Sequence, residues 1–426
     1  MRICFYEDAG APWLEPIALT RPAFALWCGA ERLFERQRRQ FAASEVGFWV
    51  RPMLAEVWKL DQPGHPVNDA DWARSQPTVW INGRWLPGPY SRIELGTPHV
   101  GVVNELVAYL VLPAGECPGD DDIDDWIGHW RDRLPACTVG GTMVTYLWDA
   151  VDQNGAMLKR DVDWFRAAHS MQSLSPHVAV QGPLDQFIAA EDAAIEPFVS
   201  ADTRGGPVLI DRGAIVHSFS RLEGPCYVGK NSMIVGAKLR AGSTIGPWCK
   251  IGGEVEASIV QGYSNKYHEG FLGHSYVGEW VNLAAGTQTS DLRNDYDKIK
   301  VNVNGKRVAT GLNKIGSYIG DHAKTGLAAL LNTGSSIGAF AHVLPAGTLL
   351  PNAIPSYCQV HHGQIQEFWD LRKTFVTAAR VMQRRGKELT DAHRDLYYDL
   401  FEMTAAGRHK TIRESEMRRL RQSASS

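Results

Sequence analysis

The spacing of apolar and polar positions changes character twice along the chain. Up to about residue 185, strand-like and helix-like runs alternate: "RICFYE", "ALWCGAERLFERQRRQ", "EVGFWV", "MLAEVWKL" and "TVWINGRWLP". This alternation predicts an α/β layer around a largely parallel sheet. "DDDIDDWIGHWRDRLP" carries acids in its first turn and basic residues in its last, as a helix dipole favours. "TYLWDAVDQNGAMLKRDVDWFRAA" predicts helices leading out of this domain, and most of the tryptophans fall within it as expected core and interface residues. From about 186 to 360 the period becomes six. Ile210, Val216, Leu222, Val228 and Ile234 keep that step, then Leu239, Ile245 and Ile251, then Ile319, Thr325, Leu331, Ile337, Val343 and Leu349. Phe271, Val277 and Leu283 keep it between those registers, and several hexads continue into glycine, as in "VGKNSM", "IGPWCK" and "IGAFAH". A six-residue repeat predicts a parallel β-helix, with one aliphatic residue per face pointing inward and a turn after it. Residues 361–426 read as charged amphipathic helices, expected to cap the open end of the β-helix or to pack on a neighbour.

The hexads break between Asp291 and Lys314. "DLRNDYDKIKVNVNGKRVATGLNK" is rich in Lys, Arg and Asn, and "NVNGKRV" predicts a hairpin around Asn304-Gly305. An arm therefore protrudes from the coil, as excursions that line a functional face often do.

Composition narrows the function classes. The 426 residues are 44% hydrophobic and 21% charged, with a net charge of −3, so nothing electrostatic points to nucleic acid or an anionic membrane. The seven cysteines include no C-x-x-C pair, which reads as reduced thiols in a cytoplasmic protein rather than a disulfide frame or zinc site. "MRICFYEDAGAPW" has neither the basic nor the apolar segment of a signal peptide, and no apolar window spans a membrane.

Candidate chemistry concentrates in "NKYHEGFLGHSYVGEWVNLAAGTQTSDLRNDY", from Asn265 to Tyr296. Its two histidines, His268 and His274, stand six residues apart. Neither a cysteine nor a third histidine adjoins them, which argues against a zinc pair. A histidine suits proton transfer near neutrality, since its ordinary pKa is about 6.5.

Read with the hexads around it, this stretch resembles the acetyltransferase half of the bifunctional N-acetylglucosamine-1-phosphate uridyltransferase / glucosamine-1-phosphate N-acetyltransferase family. The family's order of a histidine, an aromatic-aliphatic-Gly triplet, an aliphatic-Gly turn and "N-x-G-A-G-T" is matched without a gap by His268, "FLG" at Phe271–Gly273, "VG" at Val277-Gly278 and "NLAAGT" from Asn282 to Thr287. The resemblance implies a nucleotidyltransferase-like α/β domain (1–185), a left-handed parallel β-helix (186–360) and a C-terminal helical segment (361–426). It implies acetyl-CoA-dependent N-acetylation of an amino-sugar phosphate or nucleotide sugar for cell-envelope precursors, by a homotrimer. His268 takes the place of the base, Asn282 would help place the sugar, and the Ala285 N–H would sit near the thioester oxygen. Phe271 and Asp291 fall at substrate positions where the family often has Tyr and Asn, and Glu256 falls where it has a phosphate-binding lysine. Lys266 and Arg240, or Lys300, Lys306 and Arg307 of the arm, are the candidates for the missing positive charge, the arm residues toward the cofactor.

The N-terminal region is similar to sugar nucleotidyltransferases in its "LTRP…L…G…L.E" cadence. It lacks their G-x-G-T-R loop, and Ala23 follows Pro22 where they have a lysine. A phosphate cradle needs exposed N–H groups and a cation, and only Arg21 offers itself. Nucleotidyl transfer, with Mg²⁺ if this domain is active, is therefore expected to be weak. Two other functions remain open: a sugar-1-phosphate nucleotidyltransferase that uses the β-helix to oligomerise, and a non-catalytic regulator that binds a nucleotide sugar.

Overall fold

The computed structural model of the chain describes residues 1–119, 122–345, 347, 350–368 and 370–423. The chain divides into two compact units. The first comprises 1–14, 20–26 and 31–146. Its six-stranded sheet runs in the order Glu45–Trp49, Arg2–Tyr6, Thr78–Asn82, Leu106–Leu112, His99–Val103 and Ala136–Thr138. The first three strands are parallel, as expected, but Leu106–Leu112 is antiparallel to both of its neighbours, so the sheet is mixed. The cause is local: Asn104 and Glu105 both take positive φ (46° and 67°), the backbone of a two-residue hairpin turn. Phe5, Phe24, Phe34, Phe48 and Trp58 pack on one another beside this sheet, with ring centroids 5.3 to 6.3 Å apart.

The second unit comprises 15–19, 27–30 and everything from 147 onward. Helices Leu147–Arg160 and Val162–Ala168 belong to it, because Leu158, Val162 and Phe165 bury themselves against Leu209 and Tyr227 of the coil. The boundary expected at 185 thus lies inside this unit, and the first coil strand opens at Ala179. One face of the coil stacks nine parallel strands from Phe187–Ala189 to Ala353–Ile354. The aliphatic hexad residues from Ile210 to Val343 fill its lumen as a column, and Thr325 is buried at its own hexad position. One hexad position was misread. Leu272, not Phe271, points inward, since alternate strand residues face opposite ways and Val255, its partner, is buried. Leu349 lies outside the described residues.

The arm forms the expected hairpin, Lys300–Val303 against Lys306–Ala309, with Asn304 and Gly305 at positive φ. Ile299, Val301 and Val303 are buried. Gly334 of the coil lies under the arm, where a Cβ would come 2.9 Å from Ile299 Cγ2. The C-terminal helices Leu371–Gln383, Asp391–Met403 and Ala405–Ser423 pack on one corner of the coil and on its last strands. That corner carries an aromatic ladder. Tyr263, Trp280, His322, Phe340 and Tyr357 all take φ between 53° and 60°. Neighbouring rings stack 4.3 to 6.2 Å apart within the pairs Tyr263–Trp280, Trp280–His322, His322–Phe340 and Phe340–Tyr357. The left-handed backbone disfavours side chains with a Cβ, and the ring stack offsets that cost. Tyr397 packs edge-on to His322 and Phe340, and its hydroxyl lies 3.1 Å from His322 Nε2. Among the described residues no helix is long and apolar enough to cross a membrane.

Candidate functional site

One full turn of the coil takes 17 residues at this point in the chain, as the pairing of Asn265 with Asn282 shows. Residues 17 apart therefore sit one above the other, about 4.8 Å along the coil axis. His268 and Ala285 have that spacing, and so do His274 and Asp291. Two adjoining edges of the coil result, each with a histidine.

On the first edge the turn through His268 stacks on the turn through Ala285: Gly286 N–H donates to Glu269 O at 2.9 Å. The next turn continues the stack, with Ala328 N–H donating to Ala285 O at 2.8 Å. The His268 side chain is exposed, and the neighbouring Tyr267 ring stands 5.2 Å from it. Among the described residues the Ala285 N–H meets no protein acceptor. Asn282 is exposed on the adjoining face. The structure thus brings His268, Asn282 and Ala285 to one side of the coil.

On the second edge His274 Nδ1 lies 2.7 Å from Asp291 Oδ2. His274 occupies a left-handed turn (φ 45°), pinned by its own N–H to Glu256 O and by Gly316 N–H to its carbonyl. Burial pushes the Asp291 carboxyl up, but the His274 hydrogen bond and charge, with Lys314 beyond, outweigh it and hold the pKa below the usual value. Phe271 and Asp291 converge above Gly273, where a Cβ would stand 2.5 Å from Phe271 Cζ and 2.6 Å from Asp291 Oδ2. Only glycine leaves room for both. Phe271 and Asp291 therefore meet at one place on the outside of the coil, and His274, to which the motif order gave no role, is part of it.

The residues expected to supply positive charge are placed otherwise. Lys266 points into the lumen, where Nζ donates to Gly252 O at 2.8 Å, Gly270 O at 2.5 Å and, more weakly, His268 O at 3.4 Å. Burial lowers its pKa to about 8. Arg240 is surrounded by Glu256 (2.8 Å), Glu254 (3.3 Å) and Glu223 (3.6 Å), and Lys314 joins Glu256 at 3.4 Å. Glu223 is also held by Arg221 at 2.8 Å, so three carboxylates meet three cations and Arg240 has no charge left over for a phosphate. Lys300 and Arg307 border a cavity of about 810 Å³ beside the last coil strands, whose lining includes none of His268, Asn282 and Ala285. Lys306 is exposed on the hairpin.

In the first unit the loop after Arg2–Tyr6 holds its own carboxylate. Asp8 pairs with Arg84 at 2.6 Å and accepts from Asn82 Nδ2 at 2.8 Å. Burial raises its pKa, but the Arg84 hydrogen bond and charge outweigh that and hold it low. The Arg84 guanidinium packs so closely on Gly10 that a Cβ there would lie 2.1 Å from Cζ. Arg21 is buried. No group of three metal-ligating side chains occurs among the described residues.

Residues 3–170 match the family model described as sugar nucleotidyl transferase. A bifunctional sugar-1-phosphate nucleotidylyltransferase/acetyltransferase of Sulfurisphaera tokodaii is 39% identical over 24% of this chain and 25% of its own length. A bifunctional protein GlmU of a Jannaschia species is 36% identical over 32% of this chain and 30% of its own. The chain thus spans about a quarter to a third of these relatives. The family-level likeness to bifunctional GlmU proteins, expected from the sequence, is borne out. A solved N-acyltransferase of Bacillus cereus with dTDP and coenzyme A aligns with 49% of this chain and 99% of its own at 10% identity, but its TM-score of 0.15 gives it no weight.

The sequence reading missed the aromatic ladder and three cations beside it, Lys324, Arg384 and Arg385. For the ladder the signal was available: Tyr263 and Trp280, like Phe340 and Tyr357, stand 17 residues apart, one coil turn.

Proposed function

We propose that the chain is an acetyl-CoA-dependent N-acetyltransferase acting on an amino-sugar phosphate or nucleotide sugar. The reading rests on one observation: the exposed His268 imidazole sits one coil turn from the Ala285 N–H, with Asn282 on the adjoining face. The acceptor amine attacks the thioester carbonyl, and His268 takes the proton that the nitrogen loses. The Ala285 N–H donates to the oxyanion as it forms. Collapse breaks the carbon–sulfur bond, and the thiolate leaves as CoA with the proton from His268. Asn282 orients the sugar, and Phe271 and Asp291 border it from the second edge. A coupled thiol-release assay with acetyl-CoA against a panel of amino-sugar phosphates and nucleotide sugars tests this; no thiol release from any of them would overturn it.

The 2.7 Å His274–Asp291 pair supports a second reading, in which the base is His274, oriented by its carboxylate. In both readings the protein works in the cytoplasm, in keeping with its free cysteines, and as a homotrimer, the closed cyclic form in which side-by-side coils complete clefts between neighbours. A stable monomer at micromolar concentration in light scattering would contradict the trimer.

A further inference from the structure

We propose that a cleft of about 220 Å³, between the aromatic corner of the coil and the end of helix Leu371–Gln383, which shares Asn282 with the His268 side of the coil, binds the phosphate or diphosphate group of a ligand. Its polar lining is Asn265, Asn282, Lys324, Arg384 and Arg385, and no carboxylate lines it. Arg385 Nη2 donates to Asn265 Oδ1 at 2.9 Å, its Nε to Trp248 O at 3.4 Å, and Lys324 Nζ to His322 O at 2.9 Å. All these acceptors are neutral. Among the described residues none of the three cations is in a salt bridge, unlike Arg240 with its three glutamates.

Three like charges in one cleft repel one another, and the repulsion grows as water is excluded. Burial holds the Lys324 amine to about 8, and burial with the Arg384 charge lowers Arg385. A helix C-terminus favours cations, which accounts for Arg384 and Arg385. It does not account for Lys324, which comes from the coil strand Lys324-Thr325 on the opposite wall. Cations converging from two elements, with two side-chain amides between them and Trp280 as an apolar wall, suit a tetrahedral polyanion. The volume admits a phosphate, a diphosphate or a sugar phosphate, but is below the usual range for a whole nucleotide. The inference is independent of which histidine is the base.

Such a group has two sources, a phosphorylated sugar and CoA. Isothermal titration of the full chain with inorganic pyrophosphate, repeated for Arg384→Gln and Arg385→Gln, tests the site. Arg384 donates no side-chain hydrogen bond among the described residues, so Arg384→Gln leaves the fold intact, and an unchanged melting temperature checks this. Each variant should bind pyrophosphate about tenfold more weakly, the loss expected for one charge-assisted hydrogen bond. Arg372→Gln, exposed on the same helix, should bind like wild type. No binding to wild type, or equal binding to Arg384→Gln, overturns the proposal. Parallel titrations with glucosamine 1-phosphate and with CoA identify the source: the ligand whose affinity falls in both variants is the one held here. Dependence of neither overturns the assignment.

Discussion

Replacing Lys266 by Met would separate stability from pH in a way that no surface lysine could. The ammonium lies in the lumen of the coil, 4% exposed, and bonds three backbone carbonyls. Its pKa falls from 10.5 to about 8 because burial penalises the charge. A difference of that size is worth about 3 kcal/mol between the two protonation states. From pH 8 to 10.5 the folded amine has lost its proton while the unfolded amine still holds it. The unfolded state then binds more protons, so wild-type stability gains up to about 1.4 kcal/mol per pH unit from this residue. Lys266→Met has no such term. Lys324, lowered to about 8 in the same way, contributes equally to both proteins and cancels. Guanidinium melts of both proteins at pH 7, 8, 9 and 10 should show the difference moving in favour of wild type by about 2–3 kcal/mol across that range. Parallel stability curves would refute the inward lysine.

Other consequences follow from single contacts. Arg408, whose side chain is fully buried, bonds Glu367 at 2.5 Å and lies 4.1 Å over the Phe401 ring, so Arg408→Met should destabilise the second unit by about 3 kcal/mol in denaturant melts; a change below about 0.5 kcal/mol would contradict this. Gly273→Ala would push Phe271 and Asp291 apart, and a structure of the variant should show the His274–Asp291 hydrogen bond broken. The first unit should transfer nucleotidyl groups slowly, because Asp8 and Arg84 occupy each other beneath the loop that would cradle a triphosphate. Pyrophosphate release near an ordinary enzymatic rate of about 10 per second from a nucleoside triphosphate and a sugar 1-phosphate would count against that.

Much of the second unit was legible because a β-helix repeats its physics every turn. Each aliphatic hexad residue from Ile210 to Val343 had to go inward, and did. Lys266 escaped that logic: it occupies an inward position paired with Ile251, but its charge suggested a surface role. Phe271 was misplaced by one residue because strand alternation put Leu272 in the lumen. The antiparallel strand of the first unit hung on Asn104-Glu105, a turn that lacks the glycine of the usual hairpin signal. His268 was legible as a candidate from the order of motifs around it. The pairing of His274 with Asp291 was equally present as a spacing of 17, but it acquires meaning only once the length of a coil turn is known. The cleft at Lys324 was not legible at all, because Arg384 and Arg385 lie 60 residues further along the chain and reach it only through the packing of a helix.

The most direct measurement is acetyl-CoA thiol release by wild type, His268→Ala and His274→Ala, with an accepted amino-sugar substrate. Loss of a positioned base lowers the rate by about 10²–10⁴-fold. His268→Ala should lose that much in kcat with acetyl-CoA binding little changed, while His274→Ala should change kcat by less than about tenfold, under roughly 1.4 kcal/mol in the barrier. Wild-type turnover in His268→Ala, or abolition by His274→Ala alone, would contradict the assignment of the base and move it to the His274–Asp291 pair.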